Sequence, residues 1–235
     1  MVYVAALVAA RGQTPPGSRP VVLDSMVAVV NNQAILSSDL DEEMRISILE
    51  PNSTRSGPET PERALQRLIS RTLIRQQIRE EDAQAAVPTA KEIADRLDNI
   101  RKELPVCVRD DCATDAGWKA FLANHDLTQE QVDSYLRNRL EVLNFIEVRF
   151  RQGISISHQE IESYYQDMLL PQYPTGQKAP PVEEVAPRIE EILLQQKVNA
   201  LFSGWLDNLR NQGEVEVLDP KLEAAATPEQ GTRAQ

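Results

Sequence analysis

"VAVVNNQAIL", residues 27–36, sets two adjacent amides, Asn31 and Asn32, inside an apolar run. Read as one buried strand, the run would carry both amides into a core, where an unpaired amide costs roughly 1–3 kcal/mol. A chain reversal removes that cost. Asparagine tolerates positive φ, and a pair of such residues between apolar segments is a hairpin signal. Two short strands alone are marginal in water, and a third strand usually decides whether they persist. The other segment that alternates at period two is "EVEVL", residues 214–218, almost the whole chain away. The expectation is a small sheet joining an N-terminal hairpin to a C-terminal strand, with helices packed around it.

Between these segments the pattern is helical. The 235 residues include only 9 glycines, too few for a chain rich in sheets and tight loops. Ser38 and Asp41 have capping-box spacing, and Leu40, Met44, Ile48 and Leu49 form a stripe ending at Pro51. Thr60 before Pro61 marks the next start, with Leu65, Leu68, Ile69, Leu73 and Ile78 along it. Thr89 and Glu92 open a helix carrying Ile93, Leu97, Ile100 and Leu104, which "PVCVRDDCATDAG" interrupts. A short helix holds Trp118, Phe121 and Leu122. Thr128 and Gln131 then open a longer one, with an apolar stripe from Val132 through Tyr135, Leu136, Leu140, Leu143 and Ile146 to Phe150.

Ser157 and Glu160 cap a further helix, and "LPQYPTGQKAPP" has the composition of a linker. Residues 182–212 read as a long amphipathic helix containing Ile189, Ile192, Leu193, Leu201, Trp205 and Leu209, stopped by Gly213. The tail from Asp219 is rich in alanine, proline and polar residues and is expected to be disordered. The fold class is mainly α with a small sheet.

The formal charge of −11 argues against a general nucleic-acid role, because phosphate backbones repel an acidic chain. Residues 2–10 are uncharged and mostly apolar, and Val8-Ala9-Ala10 places small residues before Arg11. The stretch reads as the end of a secretory signal, too short to span a bilayer, and the missing positive n-region places the true start upstream of Met1. A disordered N-terminal tail is the plain alternative. Cys107 and Cys112 are the only cysteines. A structural disulfide across a turn ranks first for an exported chain, two free thiols second, and metal or redox chemistry a distant third.

"LDSMVAVVNNQAILSSDLDEEMR", followed by "ALQRLISRTLIRQQ", resembles the start of the SurA-type periplasmic chaperone domain. "LTQEQVDSYLRNRLEVLNFIEVRFRQGISISHQEIESYYQ" continues the likeness. "VEEVAPRIEEILLQQKVNALFSGWLDNLRNQGEVEVL" resembles the family's terminal helix and strand. The resemblance covers most of residues 21–218 and rests on the order of segments rather than on one diagnostic residue. It implies a helical chaperone body at 21–169, completed by a terminal helix and strand at 182–218.

Family members commonly insert parvulin-type prolyl isomerase domains before the terminal helix, each needing about a hundred residues. Here only the proline-rich linker at 170–181 fills that place, so an isomerase label inherited from relatives lacks its residues. The resemblance implies the periplasm, unfolded or partly folded polypeptides as partners, and outer-membrane protein precursors as clients.

No catalytic constellation stands out. "REED" at 79–82 and "RDD" at 109–111 read as solvated surface, while His125 and His158 lie singly at a turn and a helix start. There is no phosphate loop, nucleophile elbow or zinc-binding helix motif. No cofactor, metal site or membrane insertion is expected, and a homo-oligomer stays open. Tyr164, Tyr165 and Met168 lie close together beside the linker. Core packing is their default, and a groove for apolar or aromatic client segments is the sharper reading, since Met and Tyr offer adaptable apolar area. Phe202 poses the same choice. Trp205 reads as core.

Three functions follow: a holding module for unfolded chains, a dedicated interaction subunit with one permanent partner or a second copy, and residual prolyl isomerase activity.

Overall fold

A computed structural model describes residues 24–50, 59–81, 83–174, 177 and 179–226. The expectations for residues 1–20 and for the tail beyond 226 lie outside them.

Strands β1 (Met26–Val30) and β2 (Gln33–Leu36) form the hairpin around Asn31 and Asn32. Asn31 takes φ 55°, the left-handed conformation that asparagine tolerates. Strand β3 (Val215–Val217) lies antiparallel on the other side of β1, giving the order β2-β1-β3. Its register pairs Ala28 with Val217 and Val30 with Val215. The expected sheet across both ends of the chain is present.

Both turn amides are exposed, and that of Asn31 is partnered. The Asn31 backbone N–H donates to Glu214 O at 2.7 Å, and Asn31 Oδ1 accepts from Glu214 N–H at 2.9 Å. Asn31 Nδ2 donates to Gln76 Oε1, while Gln76 Nε2 donates to Val30 O. One side chain thus ties the turn to the terminal strand and to a helix. A Cβ on Gly213 would lie 2.9 Å from Leu73 Cδ2, so glycine there admits the close approach of the terminal strand.

The helices are α1 (Ser37–Ile46), α2 (Pro61–Glu80), α3 (Ala90–Glu103), α4 (Pro105–Arg109), α5 (Asp115–Asn124), α6 (Gln129–Ile146), α7 (His158–Tyr164) and α8 (Val182–Gln212). Thr60, Thr89, Thr128 and Ser157 cap α2, α3, α6 and α7 as their spacing predicts. At α1 the cap differs. Ser38 lies inside the helix and donates its hydroxyl to Asp24, while Asp39, not Asp41, accepts from the Leu36 N–H at 2.8 Å.

Three apolar clusters hold these elements together. One unites the sheet with α2 through Val30, Leu65, Ile69 and Leu73. A second joins α1, α3, α4, α5 and α6 around Phe121, Val132 and Leu136. A third gathers Ile74, Ile78 and Phe145, with Phe202, Trp205 and Leu206 of α8 packed against it.

The segment read as an interruption contains α4, a single turn started by Pro105 and closed by a C-terminal cap. Asp111 takes φ 54° and the Cys112 N–H donates to Cys107 O at 2.9 Å, the six-to-one bond of a Schellman motif. Cys107 and Cys112 occupy the two positions whose apolar contact accompanies that motif. Both are present as fully buried thiols.

The order also extends past the expected end of the fold. Pro220–Ala226 forms a 3₁₀ turn instead of a disordered tail, because Leu222 buries in the cluster beneath the sheet.

Candidate peptide-binding cleft

The residues singled out for client binding do not share one site. Tyr164 ends α7, and a π-helical turn, Tyr165–Leu169, follows it. Tyr164 and the exposed Met168 line a shallow cleft with Leu193 of α8. Tyr165 turns elsewhere, donating its hydroxyl to Pro180 O at 2.7 Å and so holding the linker against the end of α7. Phe202 belongs to an aromatic group with Phe145, Phe150 and Trp205, centroids 5.5–6.3 Å apart. The Arg149 guanidinium lies over three of those rings and pairs with Glu81. Trp205 is half-buried in this group. A π-helical extension of α6, Glu147–Arg151, brings Phe150 into it.

Phe202 also lines a different and larger cleft of about 500 Å3, bounded by α2, α6 and α8. Helices α2 and α6 run side by side in the same direction: Arg71 stacks on Tyr135, Arg75 pairs with Glu141 and Glu81 with Arg149. The lining is therefore ordered along the cleft. Arg63 and Arg67 stand at one end; Val142, Leu143, Ile146, Phe202 and Leu206 stand towards the other, beside Ile74. Ser70, Arg71, Arg210 and the Arg139–Glu50 pair lie between.

Helix periodicity places Leu143 and Ile146 on the packed stripe of α6. The structure gives that role to Phe145, 3% exposed, and leaves Leu143 48% exposed in the cleft. The physical reason is the crossing of α8, whose Phe202 and Trp205 meet Phe145 and leave the neighbouring turn of α6 uncovered.

The polar end is built on a buried charge. Glu43 of α1, 3% exposed, accepts from Arg67 Nε at 2.9 Å and from both Arg71 terminal nitrogens at 2.8 and 2.9 Å. Burial pushes the Glu43 carboxyl up, but Arg71 and then Arg67 outweigh it and hold it below the ordinary carboxylate value. For Arg67, burial opposes the charge, and the bonds to Glu59 and Glu43 raise its pKa in spite of that.

Arg139 pairs with Glu50 at 3.0 Å, and Glu50 accepts from the Tyr135 hydroxyl. Burial pushes that phenol up to about 12. Arg210 differs from these neighbours. It donates to Ser70 Oγ at 2.6 Å, its Nε is buried without a hydrogen-bond partner, and it has no carboxylate partner among the described residues.

Sequence reading found Phe202 and missed the rest of this cleft. The signal available was the α2 pattern Arg63, Arg67, Ser70, Arg71 and Ile74, which lies on one helical face.

Other chemistry-bearing groups brace neighbouring elements. Burial pushes both the Cys107 and the Cys112 thiol up, so neither is a ready nucleophile. Arg101 holds their corner by donating to Cys112 O and Ala113 O and pairing with Asp115. Hydrogen bonds from Lys197 and Ser157 pull the Glu160 carboxyl down to about 2, tying the start of α7 to α8. Among the described residues no group of three or more metal-ligating side chains occurs, and no described helix is long and apolar enough to cross a membrane.

Scanned against models of protein families the chain matches none, and no curated protein matches it.

Proposed function

We propose that this protein is an ATP-independent, chaperone-like module that holds unfolded polypeptides in the cleft between α2, α6 and α8. The observation that carries the reading is the exposed apolar end of that cleft, where Leu143 is half-exposed beside Val142, Ile146, Phe202 and Leu206. An apolar surface ordered into a groove, rather than scattered singly, marks a place where another molecule is buried.

Reversible burial of client apolar segments lowers the concentration of free, aggregation-prone chain. Contacts of modest individual strength allow release without an energy source. The SurA-type likeness of the segment order adds the setting: the periplasm, with outer-membrane protein precursors as clients.

The test uses the purified chain in severalfold molar excess over an unfolded β-barrel protein diluted out of denaturant, without nucleotide. The expected result is slower aggregation, read by light scattering. Unchanged aggregation, together with no binding of peptides from the same barrel protein, overturns the reading.

A further inference from the structure

The cleft contains more than apolar surface, and its cations are unequal. Five arginines line it in a chain whose formal charge is −11. Arg67 and Arg71 share Glu43, Arg67 also holds Glu59, and Arg139 holds Glu50. Arg210 is bonded to a neutral hydroxyl, with its Nε buried and unpartnered. A half-buried guanidinium in that state gains from an incoming carboxylate, because hydrogen bonds between charged partners are the strong ones.

Position adds a spacing. The α2 wall from Arg63 to Ile74 runs roughly 16 Å at the helical rise, room for about five residues of extended chain. The guanidinium of Arg210 reaches Ser70, one helical turn from Ile74 at the apolar end. One turn is roughly 6 Å, about the length of two extended residues. Side chains at i and i+2 of an extended segment point to the same side. An aromatic or large aliphatic side chain seated over Ile74 and Leu206, each one turn from the Arg210–Ser70 contact, thus sets the residue two places away over Arg210.

We infer that the cleft selects, among unfolded polypeptides, extended internal segments with an aromatic or large aliphatic residue two positions from an Asp or Glu, whose carboxylate pairs with Arg210. This rests on the holding function proposed above and specifies its substrate class. Charge complementarity with the arginine-lined middle of the cleft is what identifies the occupant.

The test compares peptides with blocked termini on the wild-type protein by fluorescence anisotropy. The probe is Gly-Phe-Ser-Glu-Gly, with the reversed order Gly-Glu-Ser-Phe-Gly as a second probe. Controls replace Glu by Gln, place Glu directly beside Phe, or move the only carboxylate to a free C-terminus. The expected result is about tenfold tighter binding of one Glu probe than of all its controls, an advantage that shrinks with added salt. In Arg210→Gln, with its fold checked by circular dichroism, the Glu and Gln peptides should bind alike.

Equal binding of the Glu and Gln peptides to the wild-type protein overturns the carboxylate pairing and leaves the holding function standing. A preference confined to the free C-terminus, or equal binding at the adjacent spacing, overturns the assigned segment. Absence of binding by every peptide, together with unchanged barrel-protein aggregation, overturns both proposals.

Discussion

Glu43 is the residue on which the polar end of the cleft depends. Its carboxylate is buried between Arg67 and Arg71, so it fastens α1 to α2 and sets the positions of two cleft guanidiniums. Glu43→Gln keeps the shape and leaves two cations facing a neutral amide. The expected loss is about 3 kcal/mol, the lower range for breaking a buried pair by removing one partner. Urea unfolding at pH 7 measures it, and equal midpoints for the two proteins would contradict the account. The pH dependence has a definite sign. The folded Glu43 pKa lies below the ordinary value of 4.5, so its stabilisation is complete above that value and disappears as pH falls through the depressed one. The gap between wild type and Glu43→Gln therefore narrows on acidification below pH 4.5. None of this is legible in the sequence, where Glu43 is one of several acids opening a helix and its partners lie 24 and 28 residues away.

At the scale of elements, the hairpin and its distant third strand were legible, because turn chemistry and period-two alternation are local signals that survive any tertiary arrangement. Helix starts were legible for the same reason at Thr60, Thr89, Thr128 and Ser157, whose side-chain oxygens accept from nearby backbone N–H groups. The first helix broke the pattern because Asp24, 14 residues before Ser38, claims that hydroxyl. Helix α4 and the π-helical turns after α6 and α7 were not legible; each is a short departure from a regular period, decided by what packs against it. Strand β3 carries a direct prediction. Deleting residues 214–218 removes both bonds between Asn31 and Glu214 and exposes the far edge of β1. The Asn31 amide should then exchange at least tenfold faster, with loss of protection along the hairpin. Unchanged exchange at Asn31, read by NMR, would show that β1 does not depend on the terminal strand.

Across the whole molecule, three apolar clusters divide the work: one closes the sheet on α2, one gathers α3, α4 and α5 with α6, and one seats α8. The cleft lies beside the third, where α8 covers Phe145 and leaves Leu143 and Ile146 facing outward. Helical period alone could not reveal this, because it assigns residues to a face without saying whether the face is covered. Phe202 was found as an aromatic without a fixed role, whereas Tyr164, Tyr165 and Met168 were grouped by sequence proximity; Tyr164 and Met168 do share a shallow cleft, and Tyr165 turns away to the linker. The measurement that bears most directly on the proposed role is photocrosslinking of an unfolded model peptide carrying a photoreactive phenylalanine analogue, with the attachment sites mapped by mass spectrometry. The account predicts attachment concentrated at Leu143, Ile146, Phe202 and Leu206. Attachment concentrated at Tyr164 and Met168, or spread evenly over the surface, would contradict it.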